Sequence, residues 1–194
     1  MKKLALASAI GLMVSAPAFA GPYVAVDLGR ASFGDDLNTA CTQIAGATSC
    51  KKTDTAFRLS VGHNLTDNFG VEVSYGDYGK TSAASATQNA TVKASALQVV
   101  GTGRLPVTDK ITLTAKAGAA FVNAKSTATG FAAPVLASAS VNKTNLVWGV
   151  GAEYALTPTV SLRGGIEDLG TVGNTTTAGS YKLTNVYAGA VFNF

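Results

Sequence analysis

The stretch from Ile111 to Phe121 is ITLTAKAGAAF, and it shows the pattern that decides the fold. Every second residue is apolar or small, beginning with Ile111 and Leu113 and ending with Phe121. The residues between them are threonines, Lys116, a glycine and an alanine. Side chains on a β-strand point alternately to opposite faces, so this period of two predicts a strand with one apolar and one more polar face.

The same alternation recurs along the rest of the chain. The segments that carry it lie at 23–29, 57–62, 69–76, 93–104, 111–121, 146–154, 160–167 and 185–194. The segment from Lys93 to Arg104 is the weakest, because Val100 follows Val99 directly and breaks the alternation. Eight alternating segments predict an all-β fold, and their even number suits an antiparallel up-and-down transmembrane β-barrel.

The connections between the predicted strands alternate between short turns and long polar stretches. Short turns are expected at Asn64–Asn68, Pro106–Lys110 and Thr157–Thr159, each preceded by a leucine, namely Leu65, Leu105 or Leu156. Long polar stretches are expected at about 31–54, 79–92, 125–143 and 170–180. Short turns at one end and long loops at the other are typical of outer-membrane barrels.

Composition decides which face of the barrel points outward, since a soluble eight-stranded barrel has the same period with its apolar face inside. Asp, Glu, Lys and Arg make up 13% of the 194 residues, whereas an average soluble protein has roughly 25%. The polar face consists largely of Gly, Ser, Thr and Ala, which suit the narrow interior of eight strands better than a surface in water. A mean hydropathy of +0.25 is too low for a helical membrane bundle. We therefore expect the apolar face to contact lipid.

This orientation places charged side chains inside the barrel. They are Asp27, Arg58, Glu72, Arg104, Lys116, Glu153, Arg163 and Glu167. Four cations and four anions in a narrow space should form salt bridges, because an unpaired buried charge is costly. A polar plug that fills the barrel is the favoured interpretation, since eight strands leave no open aqueous channel. A gated ion path through rearranging pairs is the alternative.

Aromatic residues fall near both ends of the apolar bands, as they do in interfacial girdles. Those expected near the short turns are Phe69, Tyr154, Phe192 and Phe194. Those expected near the long polar stretches are Phe57, Tyr75, Phe121 and Trp148. A ring at this level can contact lipid tails and headgroups together.

The start of the chain has the features of a secretory signal peptide. Lys2 and Lys3 precede an apolar run from Leu4 to Val14, and Ala18-Phe19-Ala20 is a small-x-small cleavage pattern. An anchor helix is less favoured, because the apolar run is too short to span a bilayer.

Two parts of the chain are therefore expected, a signal peptide at 1–20 and one barrel domain at 21–194. Loss of Lys2 and Lys3 lowers the formal net charge from +4 to +2. The remaining sequence has no basic stripe of the kind that a phosphate backbone needs, so no nucleic-acid partner is expected.

Cys41 and Cys50 are the two cysteines, and they lie in the polar stretch from Asp35 to Asp54. An exported protein meets an oxidising compartment, so a disulfide that closes a small loop is expected. A metal site is a weaker alternative, because no His or carboxylate cluster nearby would complete four ligands.

The stretch from Tyr187 to Phe194 is YAGAVFNF. It resembles the assembly signal of outer-membrane barrels, with Tyr187, Gly189, Phe192 and Phe194 at the characteristic positions. Together with the signal peptide and the eight alternating segments, it resembles the small OmpA-like and opacity-type outer-membrane barrels of Gram-negative bacteria. The resemblance implies recognition by the barrel-assembly machinery and contact with outer-membrane lipid and lipopolysaccharide. It also implies periplasmic termini and extracellular loops.

No motif in the sequence predicts a catalytic residue, a cofactor or a metal site. A Ser-His-acid arrangement needs an imidazole as base, and the single histidine, His63, is expected on the lipid-facing side beside a short turn. Asp35, Asp36 and Asp77 could approach one another near the loops, but nothing fixes them together. An enzyme that modifies outer-leaflet lipid is therefore the least supported function.

The long polar stretches are the best candidates for a specific function, because rigid scaffolds commonly display variable binding segments. Thr81–Thr91 and Ser126–Ser140 are examples, and Phe33, Phe131 and Val135 offer apolar contact points. Recognition of a host or surface ligand and an inert polar covering both fit this composition. We expect a structural outer-membrane protein with surface-exposed loops, and a narrow or gated small-solute or ion channel is the main alternative.

Overall fold

The computed structural model describes residues 21–34, 49–86, 89–129, 139–174 and 179–194. Strands occupy most of these residues. They are β1 (Pro22–Phe33), β2 (Ser49–Lys51), β3 (Thr53–Asn64), β4 (Phe69–Ala84), β5 (Asn89–Pro106), β6 (Ile111–Thr129), β7 (Ala139–Ala155), β8 (Val160–Asn174) and β9 (Gly179–Asn193). Within these ranges no helix is long and apolar enough to cross a membrane.

Strands β1 and β3–β9 form a closed antiparallel barrel of eight strands. Each strand pairs with its neighbours in chain order, and the pairing of β1 with β9 closes the sheet. The short strand β2 pairs with the last residues of β4. The predicted up-and-down barrel is therefore confirmed. Closure suits a membrane, because lipid offers no partners for an unpaired strand edge.

Side chains alternate between the lumen and the outer surface. On β3, Ala56, Arg58 and Ser60 are buried, whereas Phe57 and Leu59 are about half exposed. Large apolar side chains are exposed on every strand of the barrel, and the eight predicted girdle aromatics are between 41% and 78% exposed. An apolar band of this extent is not tolerated on a protein surrounded by water. The band is therefore the lipid-facing surface.

The three short turns share one hydrogen-bonding pattern. A threonine Oγ1 accepts a hydrogen bond from the backbone N–H three residues later, in Thr66 from Phe69, Thr108 from Ile111 and Thr157 from Val160. The residue before each threonine is apolar, namely Leu65, Val107 or Leu156. Val107 rather than the predicted Leu105 occupies this position in the second turn. We call this end of the barrel the turn end.

At the opposite end, the loop end, the strands extend further than the sequence predicts. Strand β4 runs to Ala84 and β5 begins at Asn89, so most of the stretch 79–92 is paired strand rather than loop. The segments Thr81–Thr91 and Ser126–Ser140 are shortened as loops in the same way, since β6 runs to Thr129 and β7 begins at Ala139. The expected stretches 31–54, 125–143 and 170–180 likewise contain strand residues at both of their ends.

The reason for this error is a reversal of the two faces at the loop end. The outward residues there are polar and include Lys80, Lys93, Lys125 and Lys182. The inward residues are apolar and include Phe33, Tyr78, Leu169 and Leu183. Phe33 was expected to offer a loop contact but is 1% exposed inside the lumen. Phe131 and Val135 lie outside the described residues.

Two β-bulges with the same sequence pattern lie on opposite sides of the barrel. Asp77-Tyr78-Gly79 on β4 and Asp168-Leu169-Gly170 on β8 each place the glycine at a positive φ, 73° and 72° respectively. In each bulge the glycine N–H donates to the aspartate Oδ1, at 2.9 and 2.8 Å. The strand register shifts at both places. Tyr78 and Leu169 continue the inward phase of the strand that precedes each bulge, and neither is exposed.

Candidate functional site

The middle of the lumen contains a network of charged side chains that begins at Asp27. The Asp27 Oδ2 atom lies 2.8 Å from Arg58 Nε and 2.6 Å from Arg163 Nη2. Arg163 extends the network, because its Nη1 atom lies 2.7 Å from Glu72 Oε2. One aspartate therefore joins two arginines from different strands, and the second arginine joins a further carboxylate.

Glu167 joins the network from β8. Its Oε2 atom pairs with Arg58 and lies 2.5 Å from Lys116 Nζ. The six members, which we call the charge network, are Asp27, Arg58, Glu72, Lys116, Arg163 and Glu167. Their side chains are at most 8% exposed. Three positive and three negative charges balance each other, as buried charges must if they are not to be destabilising.

Uncharged side chains add further partners to the charge network, although Arg58 Nη2 and Glu72 Oε1 have no hydrogen-bond partner among the described residues. The Tyr23 hydroxyl donates to Glu72 Oε2 at 3.0 Å, and the Tyr78 hydroxyl donates to Glu167 Oε1 at 3.1 Å. Asn185 donates to the same Glu167 atom at 3.0 Å. The Tyr187 ring lies 4.2 Å from the Arg58 guanidinium carbon, which is a cation–π distance. Glu72, Glu167 and Arg58 thus have uncharged neighbours in addition to their ion pairs.

Glycines opposite the large inward side chains explain how the narrow lumen accommodates them. Asp27 faces Gly189 across the β1–β9 pair. A Cβ atom at Gly189 would lie 2.2 Å from the Val26 carbonyl oxygen and 2.3 Å from Asp27 Oδ1. A Cβ atom at Gly62 would lie 2.1 Å from the Tyr23 ring. Any larger residue at either position would displace a member of the network or its hydrogen-bond partner.

A second charged pair lies closer to the turn end. Arg104 Nη2 is 3.1 Å from Glu153 Oε2, and Arg104 also donates to Asn64 Oδ1 at 3.2 Å. Between this pair and the charge network is a cavity of about 30 Å³. Glu72 Oε1 and Thr102 Oγ1 belong to its lining residues, and neither atom has a hydrogen-bond partner among the described residues. A polar cavity of this volume suits one or two water molecules.

The lumen above the charge network, toward the loop end, is lined mainly by apolar side chains. Its large side chains, which we call the apolar layer, are Phe33, Tyr78, Val122, Val147, Leu169 and Leu183, each at most 2% exposed. Alanines of β1, β3, β5 and β6 fill the space between them. An ion that crosses this layer would lose its hydration without gaining polar partners, which is strongly unfavourable. Among the described residues, the lumen is therefore closed on the loop side of the charge network.

The structure separates the eight charged residues predicted for the lumen into two groups. Six of them form the charge network, and Arg104 and Glu153 form the pair nearer the turn end. All eight side chains are at most 21% exposed. The sequence alternation alone predicts which face they occupy, but not which partners they select.

The other predicted site residues do not come together. His63 lies on the outward side of β3 beside a short turn, and its Nδ1 atom has no hydrogen-bond partner in the described part of the chain. Asp77 pairs with Lys93 at 2.8 Å, while Asp35 and Asp36 lie outside the described residues. Among those described, no group of His, Cys, Asp or Glu side chains could hold a metal ion.

The expected disulfide stays a prediction. Cys41 lies outside the described residues, and so does the Cys50 side chain. The Cys50 backbone belongs to β2 and pairs with Ala83 of β4.

The residues expected to form the assembly signal divide between the two faces of β9. Tyr187 contacts the charge network, and Gly189 provides the space for Asp27. Phe192 and Phe194 lie on the lipid-facing side and are 41% and 78% exposed. Packing inside the barrel thus explains Tyr187 and Gly189 without any role in assembly.

The uncharged partners of the network are not among the residues predicted from sequence. Tyr23, Ser60, Gln98 and Asn185 are buried and occupy the inward phase of their strands. Tyr78 also has this phase, one step beyond the predicted end of its strand. Their inward position was therefore the signal available in the sequence. A search limited to formally charged residues does not find them.

Comparisons with known proteins agree with this architecture. The family described as OmpA-like transmembrane domain matches residues 17–194. A comparison with curated protein sequences finds no match.

Solved structures with the same fold include several outer-membrane proteins. Ail, the attachment invasion locus protein of Yersinia pestis, is 16% identical with a TM-score of 0.57, over 91% of this chain and 100% of Ail. Neisserial surface protein A is 18% identical with a TM-score of 0.58, over the same shares of both chains. OprG from Pseudomonas aeruginosa is 14% identical with a TM-score of 0.53, over 91% of this chain and 97% of OprG.

Proposed function

The chain belongs to the family of OmpA-like transmembrane domains, and from this premise we propose that it presents loops for recognition at the cell surface. It is an outer-membrane β-barrel of the type found in Ail and Neisserial surface protein A. In this proposal the barrel is a rigid scaffold, and the segments beyond the strand ends make the specific contacts with the ligand. The barrel neither transports solutes nor catalyses a reaction.

The sealed lumen is the observation that carries this proposal. Every member of the charge network has an oppositely charged partner, and the apolar layer above it offers an ion no charged partner among the described residues. A conducting state would require both layers to rearrange. A role outside the lumen therefore fits the structure better than the channel alternative does.

Ail supports loop-mediated recognition as the type of role. It has been solved in complex with sucrose octasulfate, a heparin analogue. A barrel of this fold has thus been observed with a sulfated sugar, and a sulfated glycan is the first probe to apply to this chain. Bacteria that display the full chain should be tested for adhesion to immobilised heparin, beside bacteria that display a variant lacking residues 131–137.

The expected result is adhesion that depends on the chain and falls when residues 131–137 are removed. A heat-dependent mobility shift on a gel would show that the shortened variant still forms a barrel. Adhesion equal to that of cells without the protein would contradict recognition of this ligand class. Stepwise conductance of the refolded full chain in a planar bilayer would contradict the closed lumen and favour the channel.

We also propose that the loop end faces the cell surface and that both termini face the periplasm. The short turns, which are the usual periplasmic connections of such barrels, support this orientation. An epitope tag inserted after Ala86 should bind antibody on intact cells. A tag inserted after Asp109, in a short turn, should bind antibody only after the cells are permeabilised.

The same proposal assigns the end of β9 to the barrel-assembly machinery. Phe192 and Phe194 support this role, because they are exposed on the outer face, where another protein can contact them. Phe194→Ala should lower the yield of folded barrel in cells while leaving refolding in detergent unchanged. Tyr187 is less suitable for this test, because it contacts the charge network.

Absence of catalysis is part of the proposal and is tested separately. His63 is the single histidine of the chain. Its position beside a short turn supports the absence of catalysis on outer-leaflet lipid, because it lies far along the strand from the loop end. Lipid A from cells with and without the protein should give identical mass spectra. A new modified species would contradict the proposal.

A further inference from the structure

The outer surface at the loop end has three lysines in one row. Lys93 of β5 lies directly opposite Lys80 of β4 on one side and opposite Lys125 of β6 on the other. All three residues are exposed, and the bulge at Gly79 brings Lys80 into the outward phase. Side chains directly opposite on neighbouring strands are about 5 Å apart at Cβ. We call these residues the lysine row.

The lysine row is not neutralised by the rest of the described chain. Lys93 pairs with Asp77 at 2.8 Å, but neither Lys80 nor Lys125 forms an ion pair with a described residue. Like charges opposite one another destabilise a sheet. Two excess positive charges are therefore held together on three neighbouring strands, and an anionic ligand would remove their repulsion.

The opposite side of the barrel provides the contrast. Lys182 also pairs with the aspartate of a bulge, since it lies 2.8 Å from Asp168. Its neighbour on β8 is Thr171, and on the other side Gly34 donates a backbone hydrogen bond to it at 2.8 Å. The same Asp-x-Gly bulge thus occurs twice, but a row of lysines accompanies only the bulge on β4.

The height of the lysine row on the barrel identifies the type of anion. Leu97 and Phe121, which lie opposite each other, are large outward residues of the apolar band. Lys93 lies four residues before Leu97 and Lys125 four residues after Phe121, in both cases toward the loop end, which is roughly 13 Å along the strand. Ser95 and Asn123 lie between these two levels. The lysines thus lie beyond the level of the girdle aromatics, at the height of the lipid headgroups.

We propose that the lysine row binds phosphate groups of the outer-leaflet glycolipid, the phosphorylated lipid A portion of lipopolysaccharide. Three outward lysines on the flank of the barrel suit a ligand that approaches sideways within the membrane. A soluble polyanion would approach along the barrel axis from outside the membrane. From that direction it would reach only the end of the lysine row's surface that faces away from the membrane. The inference rests on the proposed orientation, with the loop end at the cell surface.

The test is a titration of the folded full chain in a neutral detergent with diphosphoryl lipid A, followed by native mass spectrometry. EDTA is present, so that a divalent cation cannot bridge Asp77 to a phosphate. Lys80→Gln/Lys125→Gln removes the two lysines without an ion pair. Arg30→Gln/Lys182→Gln removes the same number of charges from other strands and is the matched control.

We expect Lys80→Gln/Lys125→Gln to weaken binding of diphosphoryl lipid A roughly tenfold, because each basic residue near a charged membrane surface contributes appreciably to affinity. The matched control should stay within about twofold of the unmodified protein. Lys80→Arg/Lys125→Arg should restore binding. Dephosphorylated lipid A should bind all variants equally weakly, and inorganic phosphate should not compete.

Equal weakening by the two Gln double variants would overturn the proposal, since general charge would then explain binding. Unchanged binding in Lys80→Gln/Lys125→Gln would overturn it as well. Displacement of lipid A by sucrose octasulfate, with the same dependence on Lys80 and Lys125, would assign the row to a soluble polyanion instead. Because the titration is independent of orientation, its failure with normal epitope-tag results rejects the lysine row alone. Reversed tag results would reject the orientation and the outer-leaflet assignment together.

Discussion

The charge network and the apolar layer occupy the same lumen, yet they follow opposite rules of composition. Around the charge network the outer face contacts lipid, and the inner face is polar. Around the apolar layer the outer face carries lysines, and the inner face holds Phe33, Leu169 and Leu183. The period of two continues through both regions. The surrounding solvent, rather than the direction in which a side chain points, therefore decides which face is apolar.

The two regions should also fail in different ways when a side chain is removed. A member of the charge network leaves an unpaired buried charge, whereas a member of the apolar layer leaves a cavity. The first loss is expected to cost more, because breaking a buried ion pair costs about 3–5 kcal/mol. The following substitutions test this order, beginning with the largest effect.

Arg163→Met should lower the free energy of unfolding by about 3–5 kcal/mol, the largest effect expected. Arg163 contacts Asp27 and Glu72 at 2.6 and 2.7 Å, so both carboxylates lose a buried partner at once. Urea titration of the protein folded into phosphatidylcholine vesicles measures the change. A loss of less than about 1 kcal/mol would mean that water or Arg58 compensates both carboxylates, and the network would not be stabilising.

Leu169→Ala should cost about 2–5 kcal/mol and should fall below Arg163→Met in the same titration. Leu169 is not exposed, and it belongs to the apolar layer. Ile166→Ala is the control on the same strand, because Ile166 is 50% exposed on the lipid-facing side. Equal losses for the two substitutions would show that the apolar layer is not a packed core.

The contrast between the two layers explains how much of this molecule is predictable from sequence. Alternation alone gave eight strands, the short turns and the inward phase of residues such as Arg58 and Glu167. It did not predict how far the strands extend at the loop end. Polar residues on the outer face there, such as Lys80, Ser82 and Thr91, made paired strands resemble polar loops. The extra residue at Gly79 also reversed the phase of β4, and nothing before that position in the sequence indicates the reversal.

The charge network shows a second limit of sequence reasoning. Opposite charges inside a narrow barrel are expected to pair, but pairing partners depend on heights along different strands. Arg163 lies directly opposite Glu153 across the β7–β8 pair, and yet its side chain contacts Asp27 and Glu72. The direction of a long side chain within the lumen decides this choice, and strand register alone does not predict it.

The Arg104–Glu153 pair tests whether the loss of one ion-pair partner is as destabilising where the charges are less completely buried. Arg104 and Glu153 are 21% and 12% exposed, so water can solvate a charge that loses its partner. Arg104→Met should therefore cost about 1–2 kcal/mol, less than Arg163→Met. The double variant Arg104→Met/Glu153→Leu should regain part of this loss. A double variant less stable than Arg104→Met would contradict this, because it would show that Glu153 is stabilising even without its partner.

The two bulges provide the finest comparison, because the same motif supports Tyr78 on one side and Leu169 on the other. Gly79→Ala and Gly170→Ala should each cost about 1 kcal/mol, since both glycines have a positive φ. The loss should be larger at Gly79, where a Cβ atom would lie 2.6 Å from the Asp54 side chain, than at Gly170, where Asn145 is 3.1 Å away. Gly101→Ala is the control, because its Cβ would have no contact closer than 3.9 Å. If Gly101→Ala costs as much as the bulge variants, the loss reflects alanine in a strand rather than the positive φ of the two bulges.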